Sequence, residues 1–239
     1  MSMLPQPPPD APAPPPSAAA ILSQKKWKWL WIVGVTCVGV LGAAIAIPPM
    51  FIRRRGGCGQ TEYVNNARQM GLALFEFETA YGKFPDPTTI AEVRKQTGTV
   101  LPLGTISSND FFRQLIASGI AQSESMFYAK TSGVHKPDNV FAGAKALEKG
   151  ECGYTYFLGA KVTDNPARPL IVAPMIPGTD RFDPKPFEGK AVVLKLDNSV
   201  TTFKIDKNGH AIASGGRNLM DPTNLIWDGH PPVIAWPDL

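Results

Sequence analysis

Residues 61–85 read TEYVNNARQMGLALFEFETAYGKFP and predict one long amphipathic helix. Thr61 can cap the first turn, and Gly82 and Pro85 end the helix, because glycine suits the left-handed C-terminal position and proline cannot continue a helix. Apolar side chains recur at spacings of three and four residues, which places them on one face: Tyr63, Ala67, Met70, Leu74, Phe77 and Tyr81. This stripe needs a partner surface, and we expect it to form the core of a globular domain.

A more apolar segment precedes this helix. The 23 residues Leu30–Ile52 carry no charge and lie between three lysines (Lys25, Lys26, Lys28) and the arginines 53–55. At 1.5 Å per residue such a run can cross the ~30 Å hydrocarbon core of a bilayer. We expect a transmembrane helix over residues 29–52. The alternatives are a secretory signal peptide, with the small-x-small pattern of Ala44–Ala46 as its cleavage site, and a buried core helix.

The chain therefore divides into four predicted parts. Residues 1–28 form a disordered Pro-rich tail, 29–52 the membrane helix, 53–60 a hinge and 61–239 the globular domain. Six of the 24 basic residues and one of the 20 acidic residues precede Gly56, which leaves 18 against 19 and a net charge of −1 for the rest. A near-neutral domain has no electrostatic footprint for nucleic acid, whereas the basic flanks of the apolar run favour membrane lipids as partners.

The pattern after the long helix changes from helical to extended. Two shorter helices are expected over Ile90–Gln96 and over Asp110–Ser118, the latter capped by Ser108 or Asn109. Strands follow, connected in series by tight turns such as Asp197-Asn198-Ser199: Gly153–Leu158, Leu170–Ala173, Ala191–Leu196, Val200–Ile205 and His210–Ala213. Helices first and serial strands later predict an α+β fold with an antiparallel sheet. In the tail after Arg217, Trp227 and Trp236 are expected to act as packing anchors.

Two cysteines lie beyond the apolar run. Cys58 and Cys152 allow one disulfide, which an oxidising compartment would favour. The alternative is two unrelated buried thiols. A bridge would favour placing residues 61–239 in the periplasm.

Two segments carry a family resemblance. The first comprises Asn65–Leu74, Phe77, Ala80–Gly82 and Phe84-Pro85, and the second is the hairpin that contains Ala191–Leu194, Asp197–Val200 and Phe203. Together they resemble bacterial pseudopilins, a broad group of type IV pilin-like and type II secretion G-like proteins. The resemblance implies an N-terminal apolar helix, an amphipathic helix and an antiparallel sheet. The chain lacks the family's cleavage motif before Leu30 and has no glutamate in the apolar run, so a tethered relative that does not polymerise fits the residues better than a major pilin.

Few residues indicate a catalytic or metal-binding site. The histidines His135, His210 and His230 lie far apart beside turn residues, without the spacing of a zinc site. The segment Asp206–Gly209 is similar to the start of a calcium loop, but its twelfth position is Arg217 instead of glutamate, which favours a hairpin turn. We expect no cofactor. The alternative is a calcium ion bound by the loop acids Asp180, Asp183 and Asp197.

We therefore expect that the protein is not an enzyme and has no catalytic residue and no bound metal. We expect it to be a single-pass protein of the bacterial inner membrane. Its C-terminal domain would be a structural and interaction component of a secretion or type IV pilus-like system, with other proteins of that assembly as partners. The alternatives are a membrane-tethered periplasmic ligand-binding or sensor domain, and a hydrolase whose site has no recognisable motif.

Overall fold

The structure is a computed structural model that describes residues 57–213 and 215–239, with only the backbone for residues 57–60. The Pro-rich tail 1–28, the apolar run Leu30–Ile52 and the arginines 53–55 lie outside the described residues.

Three α-helices precede the sheet. They are α1 (Gly57–Tyr81), α2 (Ile90–Thr97) and α3 (Ser108–Ala117). Helix α1 begins one turn before the predicted Thr61, so residues 57–60 of the predicted hinge 53–60 are helical. It ends where the sequence predicts, because Gly82 adopts a φ of 78° and its N–H donates to the Glu78 carbonyl at 2.7 Å. Three short 3₁₀ helices follow in the connecting segments: Glu124–Phe127, Gly143–Lys145 and Leu225–Trp227.

Six strands form one antiparallel sheet in the order β5-β4-β3-β2-β1-β6, curved into a half-barrel. Their bounds are β1 Thr155–Leu158, β2 Pro169–Ala173, β3 Lys190–Lys195, β4 Val200–Ile205, β5 Ala211–Ile212 and β6 Val233–Ala235. Strands β1 to β5 each pair with the next strand along the chain. Tight turns join β3 to β4 and β4 to β5, whereas longer loops join β1 to β2 and β2 to β3. Strand β6 comes from the C-terminal tail and pairs with β1, so it forms the edge of the sheet opposite β5.

The central strands β2 and β3 are buried on both faces of the sheet. Side chains of alternate residues, such as Val192 and Leu194 of β3, face the core that the three helices cover. Their neighbours Ala191 and Val193 face a second core, built by the C-terminal tail around Trp227. The indole Nε1 of Trp227 donates to the Leu219 carbonyl at 2.9 Å, which satisfies its polar atom in an apolar setting.

The structure corrects the predicted fold class. The prediction was an α+β pseudopilin-like fold with an N-terminal transmembrane helix, followed by an amphipathic helix packed on an antiparallel sheet. No helix within the described residues is long and apolar enough to span a membrane, and the sheet is a half-barrel covered by three helices. Helix α1 is amphipathic: Glu62, Arg68 and Glu76 are exposed on one side, and the other side packs on the sheet. The segment predicted to span the membrane, residues 29–52, lies outside the described residues.

The cap of α3 also differs from the prediction. Its N-cap is Ser107, whose side chain accepts from the Asp110 N–H while the Asp110 carboxylate accepts from the Ser107 N–H, a capping box. The predicted caps have other partners. Ser108 Oγ donates to the Tyr154 carbonyl at 2.8 Å, and Asn109 Nδ2 donates to the Glu148 carbonyl at 2.9 Å.

Candidate functional site

Helix α1 is held against the sheet by the predicted apolar stripe. Five members of that stripe are buried, and Tyr81 at its end is half-buried: Tyr63, Ala67, Met70, Leu74 and Phe77. The ring of Tyr63 stacks on Phe187 with 4.5 Å between centroids. Such a buried seam fixes the orientation of the helix, so its opposite side faces outward in a defined way.

Two hydrogen bonds with residues distant in sequence fix the first half of α1. Tyr154 Oη donates to the Tyr63 carbonyl at 2.6 Å, and Asn66 Nδ2 donates to the Tyr128 carbonyl at 2.9 Å. Burial raises the pKa of Tyr154 well above the usual tyrosine value. Its phenol therefore stays protonated and remains a donor.

Gly71 lets α1 approach the β3–β4 hairpin closely. A methyl group at Gly71 would overlap Oδ1 of Asn198 in the hairpin turn and would lie 2.9 Å from Cδ1 of Leu194 in β3. Only a residue without a side chain fits this contact. The helix is therefore in direct contact with the hairpin through its buried side.

The outer side of α1 is a continuous exposed face, which we call the α1 outer face. Its members recur at helical spacing: Asn65, Arg68, Gln69, Leu72 and Glu76. Leu72 lies at its centre, and the residue is 63% exposed. Arg68 and Glu76 lie one turn to either side of Leu72, and no ion pair joins them to another described residue. The face thus presents a cation, an apolar centre and an anion in that order.

A second surface feature is a shallow groove beside the C-terminal ends of α2 and α3. Its volume is about 520 Å³. Val100, Leu101, Ile116, Ala121 and Phe141 supply its apolar lining, and none of its lining residues is charged. The groove can accept an apolar group but has no charge with which to orient one.

The residues singled out for chemistry do not converge. His135 and His230 are exposed, and His210 Nδ1 lies 3.7 Å from the carboxylate of Asp206. Asp206 closes the β4–β5 turn by accepting the N–H groups of Asn208 and His210, so the segment is a hairpin turn.

The acids of the alternative calcium loop, Asp180, Asp183 and Asp197, are not brought together. Within residues 57–213 and 215–239, the grouping of metal-ligating side chains is a different one: Glu124, Asp138 and Glu151. Sequence reasoning did not single out these three, because they are separated along the chain and follow no ligand motif.

Cys152 is a free, fully buried thiol, so the structure does not contain the predicted disulfide to Cys58. Its Sγ donates to the Tyr154 carbonyl at 3.5 Å and lies 3.6 Å from Ser108 Oγ. Burial raises its pKa to about 11, which keeps the thiol protonated and unreactive at neutral pH. Cys152 therefore behaves as a packing residue, while the side chain of Cys58 lies outside the described residues.

No family model, no curated protein and no solved structure matches this chain.

Proposed function

We propose that the domain described here is a non-catalytic interaction module, a structural component of a secretion or type IV pilus-like system in the bacterial envelope. The observation that carries this proposal is the geometry of α1. One side of a 25-residue helix is fixed in the core, and the other presents the α1 outer face to solvent. A rigid helix with a defined exposed face is suited to packing against a neighbouring subunit.

The charge order on this face specifies the partner. Arg68 and Glu76 are eight residues apart, about 12 Å along the helix axis, with Leu72 between them. A helix of a neighbouring assembly subunit with an acid, an apolar residue and a base at matching spacing would pair with all three. Complementary charges of this kind set orientation and partner choice more than affinity, while the apolar centre supplies the buried area.

The sequence resemblance supports the same proposal. The two segments that resemble pseudopilins cover residues 61–87 and 189–209. They touch each other in the folded domain, where Gly71 meets Asn198 and Leu194. The resemblance thus falls on one packed unit of helix and hairpin rather than on two unrelated pieces.

Site-specific photo-cross-linking in the native host tests the proposal. p-Benzoylphenylalanine would replace Gln69 on the α1 outer face and, as a matched control, Leu225, which is 78% exposed in the C-terminal 3₁₀ helix. We expect position 69 to capture an identified component of a secretion or pilus-type assembly and position 225 not to. Equal capture from both positions, no capture from position 69, or capture of a second copy of this chain alone would contradict the proposal.

The groove favours a second candidate function, a periplasmic ligand-binding or sensor domain. Its uncharged lining would accept a small apolar ligand in contact with Val100 and Phe141. A panel of apolar metabolites that raises the unfolding temperature of the full chain, but not of a Val100→Asp variant, would support this function. A panel that produces no shift would count against it.

The expected location belongs to the leading proposal: a bacterial inner-membrane protein whose C-terminal domain faces the periplasm. An alkaline phosphatase fused after Leu239 should be active. An inactive phosphatase together with an active cytoplasmic reporter at the same point would contradict that location.

A further inference from the structure

Three carboxylates meet in the irregular segment between α3 and β1. Glu124 opens the first 3₁₀ helix, Asp138 lies in the loop that follows, and Glu151 precedes β1. One carboxylate oxygen of each residue lies within 4.8 Å of those of the other two. The group is well separated in sequence from the α1 outer face and does not involve the acids Asp180, Asp183 or Asp197.

Glu124 is completely buried, and half of its carboxylate has no partner. Its Oε1 accepts the Leu147 N–H at 2.7 Å, whereas Oε2 is inaccessible to solvent and accepts no hydrogen bond. An unpaired carboxylate oxygen in the interior is costly unless a cation or a proton compensates it. This orphaned oxygen therefore requires either a cation or a proton at Glu124.

Glu151 is also buried, but its oxygens are fixed by backbone donors. Oε1 accepts the Asp138 N–H at 3.1 Å and Oε2 accepts the Glu148 N–H at 2.6 Å. Asp138 is exposed, and its Oδ1 accepts the Val140 N–H at 2.9 Å. The carboxylates are therefore held in place by the backbone, and Asp138 leaves the group open to solvent on one side.

The cluster carries negative charge without a cationic side chain. Among the residues that the structure describes, no lysine, arginine or histidine forms an ion pair with Glu124, Asp138 or Glu151. Three carboxylates at this separation repel one another unless a positive ion lies between them.

The oxygen chemistry and spacing identify the class of ion. Hard divalent cations take carboxylate oxygens, whereas zinc and copper sites draw on histidine or cysteine, which this group lacks. Ca²⁺ bonds oxygen at about 2.3–2.6 Å, so its ligands lie up to roughly 5 Å apart, and it tolerates the irregular geometry that loops provide. Mg²⁺ demands stricter octahedral geometry and retains more of its water.

We propose that Glu124, Asp138 and Glu151 form a Ca²⁺-binding site that ties the segment between α3 and β1 together. Glu124 supplies its free oxygen from the interior, Glu151 supplies an oxygen fixed by the backbone, and Asp138 closes the site on the solvent side, where water completes the coordination. The competing explanation is a proton held on Glu124, and the two explanations predict different responses to calcium.

Calcium titration of the full 239-residue chain, stripped with EDTA, tests the site near neutral pH. We expect calorimetry to find one equivalent of Ca²⁺ bound, more tightly than Mg²⁺. The unfolding temperature should rise by about 5–10 °C when free Ca²⁺ exceeds the dissociation constant a hundredfold.

Two substitutions test whether the ion binds at these carboxylates. Glu124→Gln and Asp138→Asn should each weaken Ca²⁺ binding at least tenfold. The Asp138→Asn variant keeps the oxygen that accepts the Val140 N–H, so it reports on binding even where Glu124→Gln fails to fold. The matched control is Asp197→Asn, an exposed aspartate whose Oδ1 likewise accepts an N–H two residues on, from Ser199 at 2.9 Å. This control should bind Ca²⁺ as the unmodified chain does.

Two results would overturn the proposal. One is an unmodified chain that binds no Ca²⁺ and unfolds at the same temperature in EDTA and in calcium, which is the outcome that a protonated Glu124 predicts. The other is an equal loss of binding in Asp138→Asn and Asp197→Asn, which would place the ion elsewhere.

Discussion

Gly71 of α1 lies directly against the side chain of Asn198 in the β3–β4 turn, so closely that a methyl group at Gly71 would overlap Asn198 Oδ1. Asn198 itself has a φ of 61°, and its Oδ1 is buried without a hydrogen-bond partner. The position of the long helix on the sheet therefore depends on a glycine that helix propensity alone would disfavour.

This contact predicts the effect of Gly71→Ala. Alanine stabilises a helix by about 1 kcal/mol relative to glycine, but overpacking of a tight contact costs about 1–3 kcal/mol. We expect a net loss of free energy of unfolding in denaturant titrations. In an Asn198→Gly background, where glycine accepts the positive φ and removes the amide, the loss should be smaller. A Gly71→Ala variant that is more stable than the unmodified chain would contradict the contact.

Two leucines on opposite sides of α1 should differ in how much the same substitution destabilises the domain. Leu74 is completely buried, so Leu74→Asp places an unpaired charge in the core and should destabilise the domain by about 3–5 kcal/mol. Leu72 is exposed, and Leu72→Asp should change stability by less than about 0.5 kcal/mol. Urea unfolding of both variants measures the difference. Similar stabilities for the two would mean that the helix is rotated from the orientation described.

Alkaline pH should destabilise the domain. The pKa of Cys152 is raised to about 11 by burial, and the pKa values of Tyr154 and Tyr156 are raised by burial as well. These groups stay protonated in the folded chain but ionise on unfolding near their ordinary values of 9.0 and 10.0, so stability is lost as the pH rises above 9.

Between the ordinary and the folded pKa of Cys152, the free energy of unfolding falls by about 1.4 kcal/mol for each pH unit. Chemical denaturation at a series of pH values measures it, and Cys152→Ala should remove the part of the slope that begins near pH 9. A slope that is unchanged in this variant would show that the thiol is not buried as described.

The same burial predicts that Cys152 resists alkylation. Iodoacetamide followed by peptide mapping should leave Cys152 unmodified in the folded chain and modify it after unfolding. A Val162→Cys variant, at a half-exposed loop position, supplies a thiol that should react in the folded chain. A peptide that links Cys58 to Cys152 under non-reducing conditions would contradict the free thiol.

The local elements could be read from the sequence because their signals are local. The helical stripe, Gly82 and Pro85 predicted where α1 ends, and the turn Asp197–Ser199 predicted the β3–β4 hairpin. Two features depend on distant residues. Strand β6, which the sequence patterns did not indicate, forms where the tail pairs with β1. The predicted cap of α3 was wrong, since Ser107 caps the helix and Ser108 Oγ donates to the Tyr154 carbonyl.

The candidate sites were less accessible to sequence reasoning. The apolar stripe of α1 identifies the buried side of the helix, and the remaining positions identify the α1 outer face. The carboxylate group had no such signal, because Glu124, Asp138 and Glu151 meet only through loops without periodicity. A buried glutamate is also indistinguishable in sequence from an exposed one.

The central claim is that the α1 outer face binds a neighbouring subunit. It is tested most directly by the photo-cross-linking yield from position 69 in chains that also carry Leu72→Asp or Leu225→Asp. We expect Leu72→Asp to lower the yield of the identified assembly partner at least tenfold without a change in the free energy of unfolding, and Leu225→Asp to leave the yield unchanged. An undiminished yield in the Leu72→Asp chain would contradict the claim.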